Sequence, residues 1–186
     1  MSTLRIRHGG PDDVAAVLAI LDAAVRWLVS HGRTGQWGTE PFSSIPSRVE
    51  AAQRWAADGG LYLAEAGGAQ DGEGDRVRDA ATPVGALVVG AAPGYVPAAT
   101  EPELYVNLLV TDHSPAARGA GGRLLTHARE VARARGLGLL RIDCYAGHGG
   151  DLVRYYERQG FTATDPFTVD QPSGHWPGQV LQQRLA

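Results

Sequence analysis

The chain contains no lysine, and all 17 of its basic residues are arginine. A Walker A phosphate loop, which requires Gly-Lys-Ser/Thr, is therefore excluded. The bias toward arginine, alanine and glycine matches high-GC codon usage, so a single arginine says little about function. Cysteine is nearly as scarce: Cys144 stands alone. That excludes an internal disulfide and a cysteine zinc site, and it fits a reducing, cytoplasmic setting. His113, His127, His148 and His175 lack metal-ligand spacing, so no metal is expected. Nor is there a surplus of positive charge. The net charge of −3 argues against nucleic acid as a partner. No apolar run is fit to span a bilayer. Residues 80–100 carry no charge, but Pro83, Pro93 and Pro97 with Gly85, Gly90 and Gly94 break any spanning helix. Arg5 and Arg7 precede an apolar stretch at 14–21, but Gly9-Gly10-Pro11-Asp12-Asp13 intervenes, which is wrong for a secretory signal. No membrane association is expected.

What is present is ordinary for a globular protein: 186 residues, 44% hydrophobic and 20% charged. This predicts one domain over 1–186 with ample chain for a core, and no internal repeat is visible. The organising stretch is Leu104-Tyr105-Val106-Asn107-Leu108-Leu109-Val110, a polar turn, then Arg118-Gly119-Ala120-Gly121-Gly122-Arg123-Leu124-Leu125. The first run is strand-like and too short for a helix. The second opens an amphipathic helix, with Leu124, Leu125, Ala128, Val131 and Ala132 on one face. A strand feeding a glycine turn at a helix N-terminus suits phosphate. The free N–H groups and the helix dipole attract it, and Gly119, Gly121 and Gly122 leave room for it. A Rossmann fingerprint fails, because Leu124 stands where its third glycine belongs.

The rest of the chain reads in order. Residues 4–7 alternate as a strand. Pro11, Asp12 and Asp13 open a helix that buries Val14, Val17, Leu18, Leu21, Val25 and Leu28 and stops near Gly32. Residues 33–42 form a loop carrying Trp37 and Phe42, and aromatics in a loop point to packing or to a ligand. Ser47 and Glu50 form a capping box for a helix to about 57. Strands are predicted at 61–66, 84–89, 104–110 and 139–145. Residues 67–82 read as a mobile polar loop. A helix from about 120 to 135 and a short helix from 151, ended by Gly160, follow. Residues 161–164 and 179–185 read as strands joined by an irregular linker over 166–177.

Three features together resemble the GNAT N-acetyltransferases. Gly119-Ala120-Gly121 with Leu124-Leu125 is similar to the acetyl-CoA signature, Gln/Arg-x-x-Gly-x-Gly/Ala, except that Ala116 occupies the first position. Tyr156, Gly160 and Phe161 match a Tyr-x-x-x-Gly-Phe ending common in the family. The order β-α-α-β-β-β-α-β-α-β-β agrees over nearly the whole chain. The resemblance implies an α/β (α+β) fold: a mixed, mostly antiparallel sheet of about seven strands, about four flanking helices, and a splay between the fourth and fifth strands.

It also implies a reaction, transfer of the acetyl group of acetyl-CoA directly to a primary amine. The backbone of Arg118, Gly119, Ala120, Gly121, Gly122 and Arg123 would hold the pyrophosphate, with both arginine side chains adding charge. Leu108, Leu109 and Val110 would bond pantetheine and supply an oxyanion donor. Tyr156 would protonate the departing thiolate. Glu103 and Glu40 are candidate bases and Asn107 could orient a water, and each also has a plain structural reading. Trp37, Glu40 and Phe42 would shape a pocket for a small or amphipathic acceptor. Asp143, Cys144 and His148 lie close in sequence, but a buried strand cysteine is the default there. The alternatives are an acyl-CoA sensor without turnover and, more weakly, a nucleotide-binding protein. The last two strands could pair across a homodimer.

Overall fold

Short apolar runs punctuated by glycine turns fold into one seven-stranded sheet, seen in a computed structural model that describes residues 4–67, 81–171 and 174–186. The strands are β1 (Leu4–His8), β2 (Leu61–Ala66), β3 (Thr82–Gly90), β4 (Glu103–Thr111), β5 (Leu139–Tyr145), β6 (Thr162–Gln171) and β7 (Gly174–Arg184). Their order is β1-β2-β3-β4-β5-β7-β6, and only β4 and β5 run parallel. Parallel neighbours need a crossover, supplied by α3 (Ala120–Ala134). The other helices are α1 (Val14–Ser30), α2 (Pro46–Ala57) and α4 (Asp151–Arg158).

The helical periodicity decides which face each helix buries. Leu124, Leu125, Ala128 and Ala132 of α3 are fully buried against Val106, Leu140 and Ile142, and Tyr156 and Phe161 join the same core. On the opposite face Val17, Ile20, Leu21, Ala24 and Val25 of α1 meet Leu61, Leu63, Ala86, Val88, Leu108 and Val110. A smaller cluster there joins Val96, Tyr105 and Val180. One ionic knot ties the N-terminal elements together. Arg7 on β1 donates to Asp13 (2.7 Å), just before α1, and to Glu65 on β2 (2.6 Å), whose residue is 6% exposed.

Two local predictions are corrected. No side chain caps α2: extended Ile45 precedes it and Pro46 takes the first helical position, where a missing N–H costs nothing. The capping box at Ser47 and Glu50 does not form the start. Second, 166–177 is not an irregular linker. Strands β6 and β7 form a long antiparallel ladder from Thr162↔Gln182 to Gln171↔Gly174, interrupted between Ala163 and Pro166. Pro166 is tolerated because β6 is an edge strand and the residue sits beside the interruption. The predicted loop at 67–82 falls largely on residues 68–80, outside the described residues; β3 already begins at Thr82.

The sheet divides at one point. The parallel register runs from Glu103↔Leu139 to Val106↔Ile142 and stops. On its other side, β4 shifts register against β3, with Val89 opposite Val106 and Val88 opposite Leu108. Asn107 is thus an extra residue, a bulge. Bulges bend a strand and increase its twist, and here the bend carries β4 away from β5. The two strands form a fork beyond Val106 and Ile142.

Candidate active site

A cavity of about 730 Å³ opens at the fork, within the range of small-molecule sites. Asn107, Leu108, Leu109 and Val110 line it from β4, and Asp143, Cys144 and Tyr145 from β5. Past the last parallel pair, the edges of β4 and β5 that face each other carry backbone groups without a strand partner there, so an extended ligand can bond to them.

One end of the cavity is the glycine turn. Ser114 caps the short 3-10 turn Pro115–Ala117, accepting from the N–H of Ala117 at 3.3 Å. Gly119 then precedes α3 at φ +83°, a left-handed conformation costly for any residue with a Cβ. Gly119, Gly121 and Gly122 line the cavity. A Cβ on Gly121 would stand 2.7 Å from the Tyr155 hydroxyl of α4, so a side chain there would fill the space between the two helices. The cradle fits a phosphate-bearing group on the N–H groups of α3. Of the predicted holders, Ala120 is buried in the core. Arg118 lines a separate shallow depression with His113 and Ser114. Arg123 turns away from the cavity and donates to the carbonyl of Leu4. The structure therefore does not place the Arg123 side chain beside the glycine turn; its guanidinium serves β1.

Tyr156 projects from α4 onto the α3 side of the fork, and it lines the cavity. Burial holds its phenol well above the usual tyrosine range, and the neighbouring Cys144 adds to this. Such a phenol stays protonated and keeps an O–H to donate. Cys144 shares that face, and burial pushes its thiol up to about 12. It is a core residue rather than a nucleophile.

The opposite face of the fork is aromatic. Trp37 and Phe42 meet edge to face, with centroids 5.3 Å apart. Tyr145 and Trp176 are tilted partners at 5.5 Å. All four line the cavity with Trp55 and Tyr95. The Trp176 indole donates to the carbonyl of Gln36 (2.9 Å), so β7 closes against the loop after α1. Gly35 has no room for a side chain, because a Cβ would lie 2.2 Å from the Tyr145 hydroxyl. At the rim, Arg33 pairs with Asp151 at 3.0 Å. His113 (φ +60°) and His148 (φ +51°) are the non-glycine residues with left-handed backbone among those described, and both line the cavity. Backbone strain of this kind concentrates at functional sites.

The residues predicted to handle the amine's proton separate. Asn107 lines the cavity, with its amide donating to the carbonyl of Ala91 at 3.0 Å. Glu103 sits at the far end of β4, outside the cavity. Its carboxylate accepts from Arg141 at 3.1 and 3.2 Å, and Arg141 also donates to the carbonyl of Pro97. Glu40 is exposed and does not line the cavity, whereas Trp37 and Phe42 do. Asp143 gains a place in the site that its sequence neighbourhood, beside Cys144, does not suggest. It accepts from the Tyr105 hydroxyl at 2.6 Å and from Tyr95 at 3.4 Å. Burial raises its carboxyl above the usual range, and the two phenols pull it back. Its strand also carries Arg141, two positions earlier on the same face, so a charge in this run does not by itself single out Asp143.

Among the described residues, no cluster of histidine, cysteine, aspartate and glutamate could hold a metal, and no helix is long and apolar enough to cross a membrane. Residues 23–161 match the profile of the acetyltransferase (GNAT) family. Comparison with curated protein sequences gives no significant match. Solved structures share the fold at low identity. A GNAT-family acetyltransferase from Listeria monocytogenes is 16% identical, with 98% of this chain and 95% of that chain covered and a TM-score of 0.67. A ribosomal-protein-alanine N-acetyltransferase from Brucella melitensis is 21% identical, with 97% and 99% covered and a TM-score of 0.63. A chain of the NatC complex, solved with Gag peptide and CoA, is 13% identical, with 98% and 99% covered and a TM-score of 0.64.

Proposed function

The chain belongs to the acetyltransferase (GNAT) family, and on that premise we propose that it moves the acetyl group of acetyl-CoA onto the primary amine of a small, largely apolar molecule. The observation that carries the reading is the fork itself. A glycine cradle, two strand edges without strand partners and a protonated phenol line one continuous cavity. Acetyl-CoA supplies the activated acyl group when bound, and the protein's residues do the rest.

The N–H groups at the start of α3 hold phosphate oxygens, and the glycines keep side chains out of their way. The β4 edge over Leu108, Leu109 and Val110 orients the thioester arm, and an N–H of this edge stabilises the developing oxyanion. Tyr156 donates its proton to the leaving sulfur. Its phenol remains protonated through the neutral range and lines the fork, so it has a proton to give there. The acceptor enters from the aromatic face, between Trp37, Phe42, Tyr145 and Trp176. Arg33 is already paired with Asp151, so an acidic acceptor gains no free cation from it. An aryl or alkyl body buries its apolar area against these rings.

The test is thiol release from acetyl-CoA against arylalkylamines, polyamines, aminoglycosides and amino acids, with product mass confirmed. With no lysine in the chain, no side-chain amine adds background. Release with arylalkylamines, 2-phenylethylamine first, is the expected result. Coenzyme binding without an acetylated product from any class would replace this reading with an acyl-CoA sensor. Absence of both would remove it.

A further inference from the structure

We propose that Asp143 is the group that takes the proton from the acceptor amine, and that Tyr105 and Tyr95 position it; this rests on the acetyltransferase reading above. Placement is the first argument. The parallel register ends at Val106↔Ile142, so Asp143 is the first β5 residue beyond it, level with the Asn107 bulge on β4. Side chains alternate along a strand. Leu140, Ile142 and Cys144 enter the core beside α3 and α4. Asp143 lies on the other face, with Tyr105 and with Val180 opposite it on β7. Tyr156 is on the α3 side of the fork. The two proton-handling groups thus stand on opposite faces of the opening, one beside the leaving sulfur and one where the acceptor arrives.

Charge is the second argument. Buried carboxylates are costly unless paired with a cation. Glu65 has Arg7 and Glu103 has Arg141. Asp143 has no such partner among the described residues. Its hydrogen bonds come from two neutral phenols, at 2.6 Å from Tyr105 and 3.4 Å from Tyr95. Arg141 lies under the Tyr105 ring and is committed to Glu103 and Pro97. The carboxylate therefore brings an uncompensated negative charge to a cavity with aromatic walls. The natural complement is a primary ammonium on an aryl or alkyl body.

The step balances without a further reactant. The bound ammonium passes one proton to Asp143, which hands it on to water; the neutral nitrogen then bonds to the acyl carbon, its second proton passes to Asp143, the carbon–sulfur bond breaks, and the sulfur receives a proton from Tyr156. Asp143 and Tyr156 then return to their starting forms by exchange with water.

The experiment compares wild type, Asp143→Asn and Asp143→Glu with 2-phenylethylamine and its 2-fluoro and 2,2-difluoro analogues. These share a shape while their ammonium acidity rises. Coenzyme A affinity, read by calorimetry, should stay within about 2-fold in both variants. Asp143→Asn should lower kcat/KM on 2-phenylethylamine by about 10²–10⁴-fold, the usual span for general acid–base catalysis. The deficit relative to wild type should shrink along the fluorinated series, because a more acidic ammonium needs less help. Asp143→Glu should recover part of the rate. A deficit that stays equal along the series, or no deficit, overturns the base role, as does an Asp143→Glu variant that binds coenzyme A and is no faster than Asp143→Asn. A wild-type protein that does not acetylate 2-phenylethylamine overturns the acceptor reading, and this inference with it.

Discussion

At the scale of single residues, the site depends on which protons stay where. Tyr156 is fully enclosed, and its phenol is held in the donating form. Tyr156→Phe keeps the ring packing against Phe161 and removes only the hydroxyl. We expect kcat to fall by roughly 10²-fold, the lower end of general-acid effects, with coenzyme A affinity unchanged by calorimetry. An unaltered kcat would mean that the sulfur takes its proton from water. Cys144, although beside the fork, stays a thiol because burial pushes it to about 12. The place of Tyr156 on the cavity was legible in the sequence because Gly160 and Phe161 fix its register. Asp143 was not, because its closest donor, Tyr105, lies 38 positions away. A carboxylate's partners are set by strand pairing, which a local pattern does not encode.

Elements explain how those residues come to face one cavity. Strand and helix positions followed from periodicity, since most helices bury one face and the central strands are apolar. The bulge at Asn107 was not legible; an asparagine in an apolar run gives its identity but not the register shift between Val88 and Val89. The β6–β7 hairpin was hidden because its prolines mimic a linker; for Pro166, edge position, known only from the sheet order, is what tolerates it. The glycine turn offers a clean test. Gly119 has φ +83°, and a Cβ added there would meet nothing within 4 Å, so Gly119→Ala meets backbone strain alone. The cost is about 1–2 kcal/mol, read as a lower Tm in thermal unfolding. Coenzyme A affinity should fall several-fold as the α3 N-terminus reorients. Arg7 offers another. Arg7→Ala leaves Glu65 buried without its main cation, at a cost of about 2–4 kcal/mol by denaturant unfolding. Arg7 also holds the Asp13 carboxyl below its usual range. A lowered carboxyl contributes stability above the ordinary carboxylate range and loses it as pH falls through the folded-state value. The part of the stability gap between wild type and Arg7→Ala that comes from Asp13 should therefore be full at neutral pH and lost in acid, so the gap narrows there.

Across the whole molecule, the sheet is two antiparallel blocks, β1 to β4 and β5-β7-β6, joined by a parallel seam from Glu103↔Leu139 to Val106↔Ile142. Helix α3 lies across β3, β4 and β5 and reinforces that seam. The family was legible because two motifs and the element order agree along the chain. The aromatic wall of the cavity was not, since it gathers Gln36, Tyr145 and Trp176 from separate regions, the indole meeting a carbonyl 140 positions away. The short seam also makes the blocks a sensor of occupancy. A molecule lying along both strand edges acts as an extra rung between them, so its binding energy becomes folding energy. Coenzyme A at 100 times its Kd should add about 2.7 kcal/mol to the unfolding free energy. In deuterium exchange, protection should rise together at 107–111 and 143–145, on both sides of the seam, as one block is clasped to the other.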